Sequence, residues 1–139
     1  MEAVIFTGLQ ASGKSSFYKE RFFSTHVRIS LDLLRTRNRV ERLLAFCLET
    51  QQKFVIDNTN PTRADRAKYI ARSKEAGFRV IGYYFSSMVE ECSQRNDGRT
   101  DAVPDVAILS TAKKLEIPTL DDGFDDLWSV QSSDRECVI

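Results

Sequence analysis

The chain has three cysteines, three prolines and one histidine in 139 residues, which leaves little material for several kinds of site. Cys47, Cys92 and Cys137 are odd in number and far apart. That fits neither a disulfide framework nor a zinc-binding spacing, and reads as reduced thiols of an intracellular protein. His26 has no serine or cysteine arranged with it, so it reads as structural or exposed. No stretch approaches the roughly 20 apolar residues of a membrane span, and the chain opens directly on an apolar strand pattern, so no secretory leader is expected. Lysine plus arginine equals aspartate plus glutamate at 20 each, which excludes a polycation. An Asn-Lys-x-Asp sequence, which guanine recognition would need, is absent. Repeats, low-complexity tracts and linkers are absent too. What is left is a single cytoplasmic domain over residues 1–139, with 131–139 expected as a weakly ordered tail.

Against these absences stands one strong pattern. Gly8, Leu9, Gln10, Ala11, Ser12, Gly13, Lys14 and Ser15 match G-x-x-x-x-G-K-[ST], the phosphate-cradling P-loop. Glycines let the backbone wrap closely around phosphate. The loop's N–H groups and the helix N-terminus that follows present partial positive charge to an anion. Lys14 adds a full charge for the β- and γ-phosphates, and Ser15 offers a hydroxyl to Mg²⁺. Ser16 continues the binding segment into the helix. The context agrees, because the apolar run Ala3 to Phe6 precedes the loop as a buried strand and residues 14–24 can follow as a helix.

Strand and helix patterns then alternate, which predicts a mainly parallel α/β sheet of about five strands in a three-layer sandwich. Short strands are expected at residues 27–30 and 53–57, with one helical region between them from Leu31 to about Gln52. Val40, Leu43, Leu44, Cys47 and Leu48 have the spacing of one buried helical face. Asn60 is placed as the N-cap of the next helix, with Pro61 at its first position and Gly77 at its end. Strands follow at 79–85 and 126–130, with a helix at 88–96, a polar loop at 97–103 and a short helix opened by Pro104 between them. Charge is uneven. Residues 63–79 hold six basic side chains against two acids, while residues 116–139 hold seven acids against Arg135 alone. The basic stretch is either a local phosphate-binding patch or a solvated helix face, and the second reading is preferred for most of its residues.

In an open parallel sheet, ligands bind beyond the carboxyl ends of the strands. Asp32, Asp57, Arg95 and Arg99 all fall there. Phosphoryl transfer needs a carboxylate for the acceptor hydroxyl, a metal site and positive charge on the moving phosphoryl group. Asp32 suits the first role, Ser15 with Asp57 the second, and Lys14 with Arg95 and Arg99 the third. Each has a plain alternative. Asp32 can cap the helix after it, Asp57 can bond within its own turn, and the arginines can be surface charges.

Several segments resemble the 5′-hydroxyl polynucleotide kinase family. They are Asp57-Asn58-Thr59-Asn60-Pro61, Gln94 to Arg99 followed by Val103-Pro104, Asp32-Leu33-Leu34-Arg35, and Ile117 to Leu120 with Gly123-Phe124. The resemblance implies a P-loop NTPase fold with a short arginine-bearing lid, ATP and Mg²⁺ as cofactors, and 5′-hydroxyl ends of DNA or RNA as substrate. It implies Asp32 as general base, Arg35 on the acceptor's phosphate and Arg99, assisted by Arg95, on the transferring phosphate. Asn58, Thr59 and Asn60 would line the substrate side. The acid of this turn stands at Asp57 here, and at the position of Asn58 in some relatives. An Asp-x-Asp-x-Thr phosphatase motif is absent, and the stretch between Arg35 and Val55 is short. Two other functions share the scaffold: a small-molecule or nucleoside kinase, and a nucleotide-binding module without phosphotransfer.

Overall fold

A computed structural model describes residues 1–86 and 104–131 and the backbone of 136–138. Its centre is β1 (Glu2–Gly8), β2 (Val27–Ile29), β3 (Phe54–Ile56), β4 (Arg79–Phe85), β5 (Asp126–Val130) and β6 (Glu136–Val138), in the order β2-β3-β1-β4-β5-β6. The first five are parallel and β6 runs antiparallel to β5, so three residues of the expected tail extend the sheet. β1 and β3 read as unbroken apolar runs because both faces of the sheet are covered. Alternate side chains leave on opposite faces. Ala3, Ile5, Phe54 and Ile56 therefore join one core, while Val4, Phe6 and Val55 join the other.

The first core lies under α3 (Arg37–Thr50) and α4 (Arg63–Glu75). Val40, Leu44 and Cys47 are buried in it and Leu43 and Leu48 pack at its edge, as their helical spacing predicts. The second core lies under α1 (Lys14–Arg21), where Phe17 and Phe22 meet Phe6, Tyr83 and Phe85 in tilted and edge-on aromatic contacts. A smaller cluster joins Leu9 of the P-loop to Ile108 of α5 (Asp105–Lys114).

Two local expectations are corrected, and a third gains detail. The helical region after β2 is two helices, α2 (Leu31–Leu34) and α3. Arg35 takes φ 76° between them and Thr36 starts α3 by accepting a bond from the Arg39 N–H. Asn60 is not an N-cap. Thr62 caps α4 in a reciprocal box with Asp65, and Pro61 precedes the helix. The basic stretch is exposed at most of its basic residues, Arg63, Lys68, Lys74 and Arg79, as preferred, but it also carries ion pairs. Arg63 and Arg66 both pair with Asp122, Arg79 pairs with Asp126, and Arg72 pairs with Glu41. Arg66 is 0% exposed and also donates to the Asn60 carbonyl at 2.9 Å. The two opposite charge excesses are thus partly two halves of one tertiary contact.

Candidate functional site

The P-loop leaves the carboxyl end of β1, and its two glycines are needed for different reasons. A side chain at Gly8 would put its Cβ 2.8 Å from the Phe85 Cβ, so this position is closed by packing. Gly13 has open space but φ +99°, a conformation that L side chains rarely adopt. Gly13 is also the N-cap of α1 and, having no side chain, gives that helix N-terminus no side-chain cap. Ala11, at φ 61°, helps turn the loop.

Lys14 is buried and folded over this concavity. Its Nζ lies 3.1 Å from the Gly8 carbonyl, 2.6 Å from that of Leu9 and 3.4 Å from Ser12 Oγ. An ammonium has three donors, so an incoming phosphate must draw at least one away from the loop. Gln10 points elsewhere and donates to Thr111 Oγ1 at 2.9 Å, tying the loop to α5. Ser15 and Ser16 are exposed at the start of α1.

β2, β3 and the turn after β3 bring up the rest. Asp57 is buried, and its Oδ2 accepts from Ser15 Oγ at 3.4 Å and from Arg28 Nε at 2.7 Å. Arg28 Nη2 also donates to Ser15 Oγ at 3.0 Å. The sequence reading missed Arg28. The one local signal for it is a charged residue between Val27 and Ile29 in an apolar strand. It stands in register with Val55, on the face covered by α1.

The Asp57–Asn60 turn divides its labour. Asp57 faces the loop. Asn58 Oδ1 accepts the Leu31 N–H at 2.9 Å and so pins the start of α2. The Thr59 carbonyl accepts the Gly8 N–H at 3.0 Å. Asn60 is buried, and its amide donates to the Phe6 carbonyl at 2.8 Å, so its side chain serves the framework. Of the two candidates for the acidic role, the structure brings Asp57 to Ser15 and uses Asn58 as a brace.

Asp32 lies in the first turn of α2 and is exposed, as is Arg35 at its end. Ser30 is the N-cap of this helix and accepts from the Leu33 N–H, so capping is not what Asp32 does. A cavity of about 320 Å³ opens beside α2, with Leu31, Arg37, Asn58, Lys68 and Tyr69 in its wall. The sequence reading did not find it, because its wall is drawn from α2, α3, α4 and the turn after β3. Arg95, Arg99 and the lid that would carry them lie outside the described residues.

Two other groups are inert. Burial pushes the Cys47 thiol up to about 11. His26 is buried between Thr25 Oγ1 at 2.7 Å and Glu2 Oε2 at 3.0 Å, and burial lowers its pKa. Among the described residues, no helix is long and apolar enough to cross a membrane, and no group of three or more His, Cys, Asp or Glu could hold a metal. Ser15 Oγ and Asp57 Oδ2 are hard oxygen donors, the kind that Mg²⁺ takes together with nucleotide phosphates and water.

A family model described as an AAA domain matches residues 28–118. A bifunctional polynucleotide phosphatase/kinase of Schizosaccharomyces pombe is 26% identical over 135 residues, covering 93% of this chain and 33% of that protein. A protein of Acanthamoeba polyphaga mimivirus, likewise named for a bifunctional polynucleotide phosphatase/kinase, is 25% identical with the same coverage. The chain thus spans about a third of the length of the curated relatives it matches. Among solved structures, a gluconokinase from Sinorhizobium meliloti 1021 superimposes with a TM-score of 0.67 at 17% identity, over 96% of this chain and 84% of that one, which speaks for the fold alone. Family and relatives bear out the resemblance to polynucleotide kinases, and support a P-loop kinase domain that binds nucleotide.

Proposed function

The chain belongs to the AAA-domain family, and from that premise we propose that it transfers the γ-phosphate of ATP to the 5′-hydroxyl end of DNA or RNA. One observation carries the acceptor side of this reading. Asp32 sits on the four-residue helix α2 at the carboxyl end of β2 and Arg35 is its C-cap, and the residue after Asp57 bonds the N–H of the helix's first residue. Both residues follow the carboxyl end of β2, and the P-loop leaves the carboxyl end of β1 in the same parallel sheet; Asp32 is exposed and is not used as a cap.

Chemically, the acceptor oxygen attacks the γ-phosphorus in line and gives its proton to the Asp32 carboxylate. The bond from phosphorus to the β–γ bridging oxygen breaks, and ADP leaves. Lys14 turns from the Gly8 and Leu9 carbonyls to the phosphates. The backbone from Gly8 to Gly13 holds the triphosphate, with Gln10, Ala11 and Ser12 shaping the loop and Ser16 extending it. Arg35 holds the acceptor's phosphate next to the attacked hydroxyl. Arg99, with Arg95, balances charge on the moving phosphoryl group. Ser15 and Asp57 offer the hard oxygen donors suited to Mg²⁺, which would neutralise phosphate charge when bound. Asn58 and Thr59 keep this side in register.

The experiment is a panel with labelled ATP: 5′-hydroxyl DNA, 5′-hydroxyl RNA, nucleoside 3′-monophosphates and free polyols. Label on an oligonucleotide supports the reading. Label on a small molecule alone makes the protein a metabolite kinase. A protein that binds ATP and labels nothing is a nucleotide-binding module.

A further inference from the structure

We propose that the Arg28 guanidinium fills the divalent cation's seat between Ser15 and Asp57 in the nucleotide-free protein, so that metal binding is an exchange of one cation for another. The inference rests on the metal assignment above and not on which acceptor the protein uses.

The geometry is that of a stand-in ion. Arg28 Nε meets Asp57 Oδ2 at 2.7 Å and Nη2 meets Ser15 Oγ at 3.0 Å, so one guanidinium bridges both oxygens assigned to the metal. The Asp57 side chain is 2% exposed and that of Arg28 is 27% exposed. A buried carboxylate without a counter-charge is costly. Arg28 supplies that charge while the metal is absent. A metal ion taken by Ser15 Oγ and Asp57 Oδ2 would meet the guanidinium charge at the same oxygens, and that repulsion favours one cation at a time. The fold fixes one partner, because Asp57 follows β3 and its N–H donates to the Ile29 carbonyl of β2 at 2.8 Å. The other partner is a long side chain from the middle of β2 that is 27% exposed to solvent. Tyr18 directs its hydroxyl to the His26 carbonyl at 2.6 Å, so it is not a competing donor to Asp57.

If the bridge is closed in more than about nine tenths of molecules, the apparent metal affinity is reduced roughly tenfold by the closed fraction. An arginine at this position is therefore a brake on metal loading, which nucleotide phosphates overcome by adding their own ligands.

The test is direct binding of Mn²⁺, read by the electron paramagnetic resonance of the free ion, on the whole chain with saturating ADP and no acceptor. R28M is expected to bind Mn²⁺ roughly tenfold more tightly than the unsubstituted protein, R28K to fall between them, and D57N and the double variant R28M/D57N to bind weakly. Mn²⁺ affinity that is unchanged or lower in R28M overturns the proposal, as does the absence of Mn²⁺ binding in every variant. Should R28M fail to fold, the Arg28 Nε–H resonance of the unsubstituted protein answers instead. It is expected to be protected from exchange with solvent without metal and to lose that protection in saturating Mg²⁺ with ADP. A resonance that Mg²⁺ leaves protected overturns the exchange. Failure of phosphate transfer to any acceptor would remove the kinase reading and leave these binding results standing.

Discussion

Replacing Arg66 by methionine should cost about 3 kcal/mol of stability, because removing one partner of a buried ion pair typically costs 3–5 kcal/mol. Arg66 is 0% exposed. It meets Asp122 Oδ2 at 3.1 Å and the Asn60 carbonyl at 2.9 Å. The low end of the range applies for two reasons. Asp122 keeps a second partner, Arg63 Nε, at 3.1 Å. Arg66 Nε is itself buried with no bond to any described residue, a cost that methionine removes. For a domain of this size the loss corresponds to a fall in melting temperature of roughly 10 °C. Urea unfolding followed by circular dichroism would measure it. The double variant R66M/D122N should lose less than the sum of the single losses, since it leaves no buried charge unpaired. Because the Asn60 amide also holds the Phe6 carbonyl, at 2.8 Å, and Thr59 holds Gly8, R66M should weaken nucleotide binding as well. A loss under about 1 kcal/mol, with strictly additive behaviour in the double variant, would refute the reading of this contact as a buried structural pair.

Two further outcomes follow from named geometry. Gly13→Ala meets no atom but must hold φ +99°, which should cost about 1–3 kcal/mol and lower ATP affinity in calorimetry; unaltered stability and affinity would mean the loop relaxes freely. For His26, burial sets the folded pKa below its ordinary value, so the unfolded chain binds the proton more readily. Its contribution is present above the unfolded pKa of about 6.5 and is lost as pH falls through and below that value. Urea midpoints at pH 7.5 and 5.5 should therefore separate more in the unsubstituted protein than in His26→Gln.

Much of the fold is legible because it rests on local signals. The P-loop is legible from glycine spacing after an apolar strand, and β4 and β5 lie where their apolar patterns put them. What escaped reading depends on partners far apart in sequence. Nothing near Arg66 shows that Asp122 neutralises it, so a helical arginine reads as surface. Nothing near Arg28 announces Ser15 and Asp57. The break at Arg35 also has no strong local sign, since arginine is not a residue that favours φ 76°. Asn60 looked like a cap because asparagine before proline usually opens a helix; its buried bond to Phe6 is a tertiary choice that outweighs that preference. Of the site, Lys14, Ser15 and Asp57 could be read from motif and position. Their arrangement around Arg28 could not.

The central claim is that the exposed carboxylate on α2 does proton chemistry for an acceptor held next to the P-loop. It is tested most directly by measuring ATP affinity and the rate of label transfer to a 5′-hydroxyl oligonucleotide in Asp32→Asn. Unchanged ATP affinity and a rate lowered by about 10²–10⁴-fold, the usual contribution of a general base, are expected. A variant that transfers phosphate at the unsubstituted rate, or that loses ATP binding together with turnover, would contradict it.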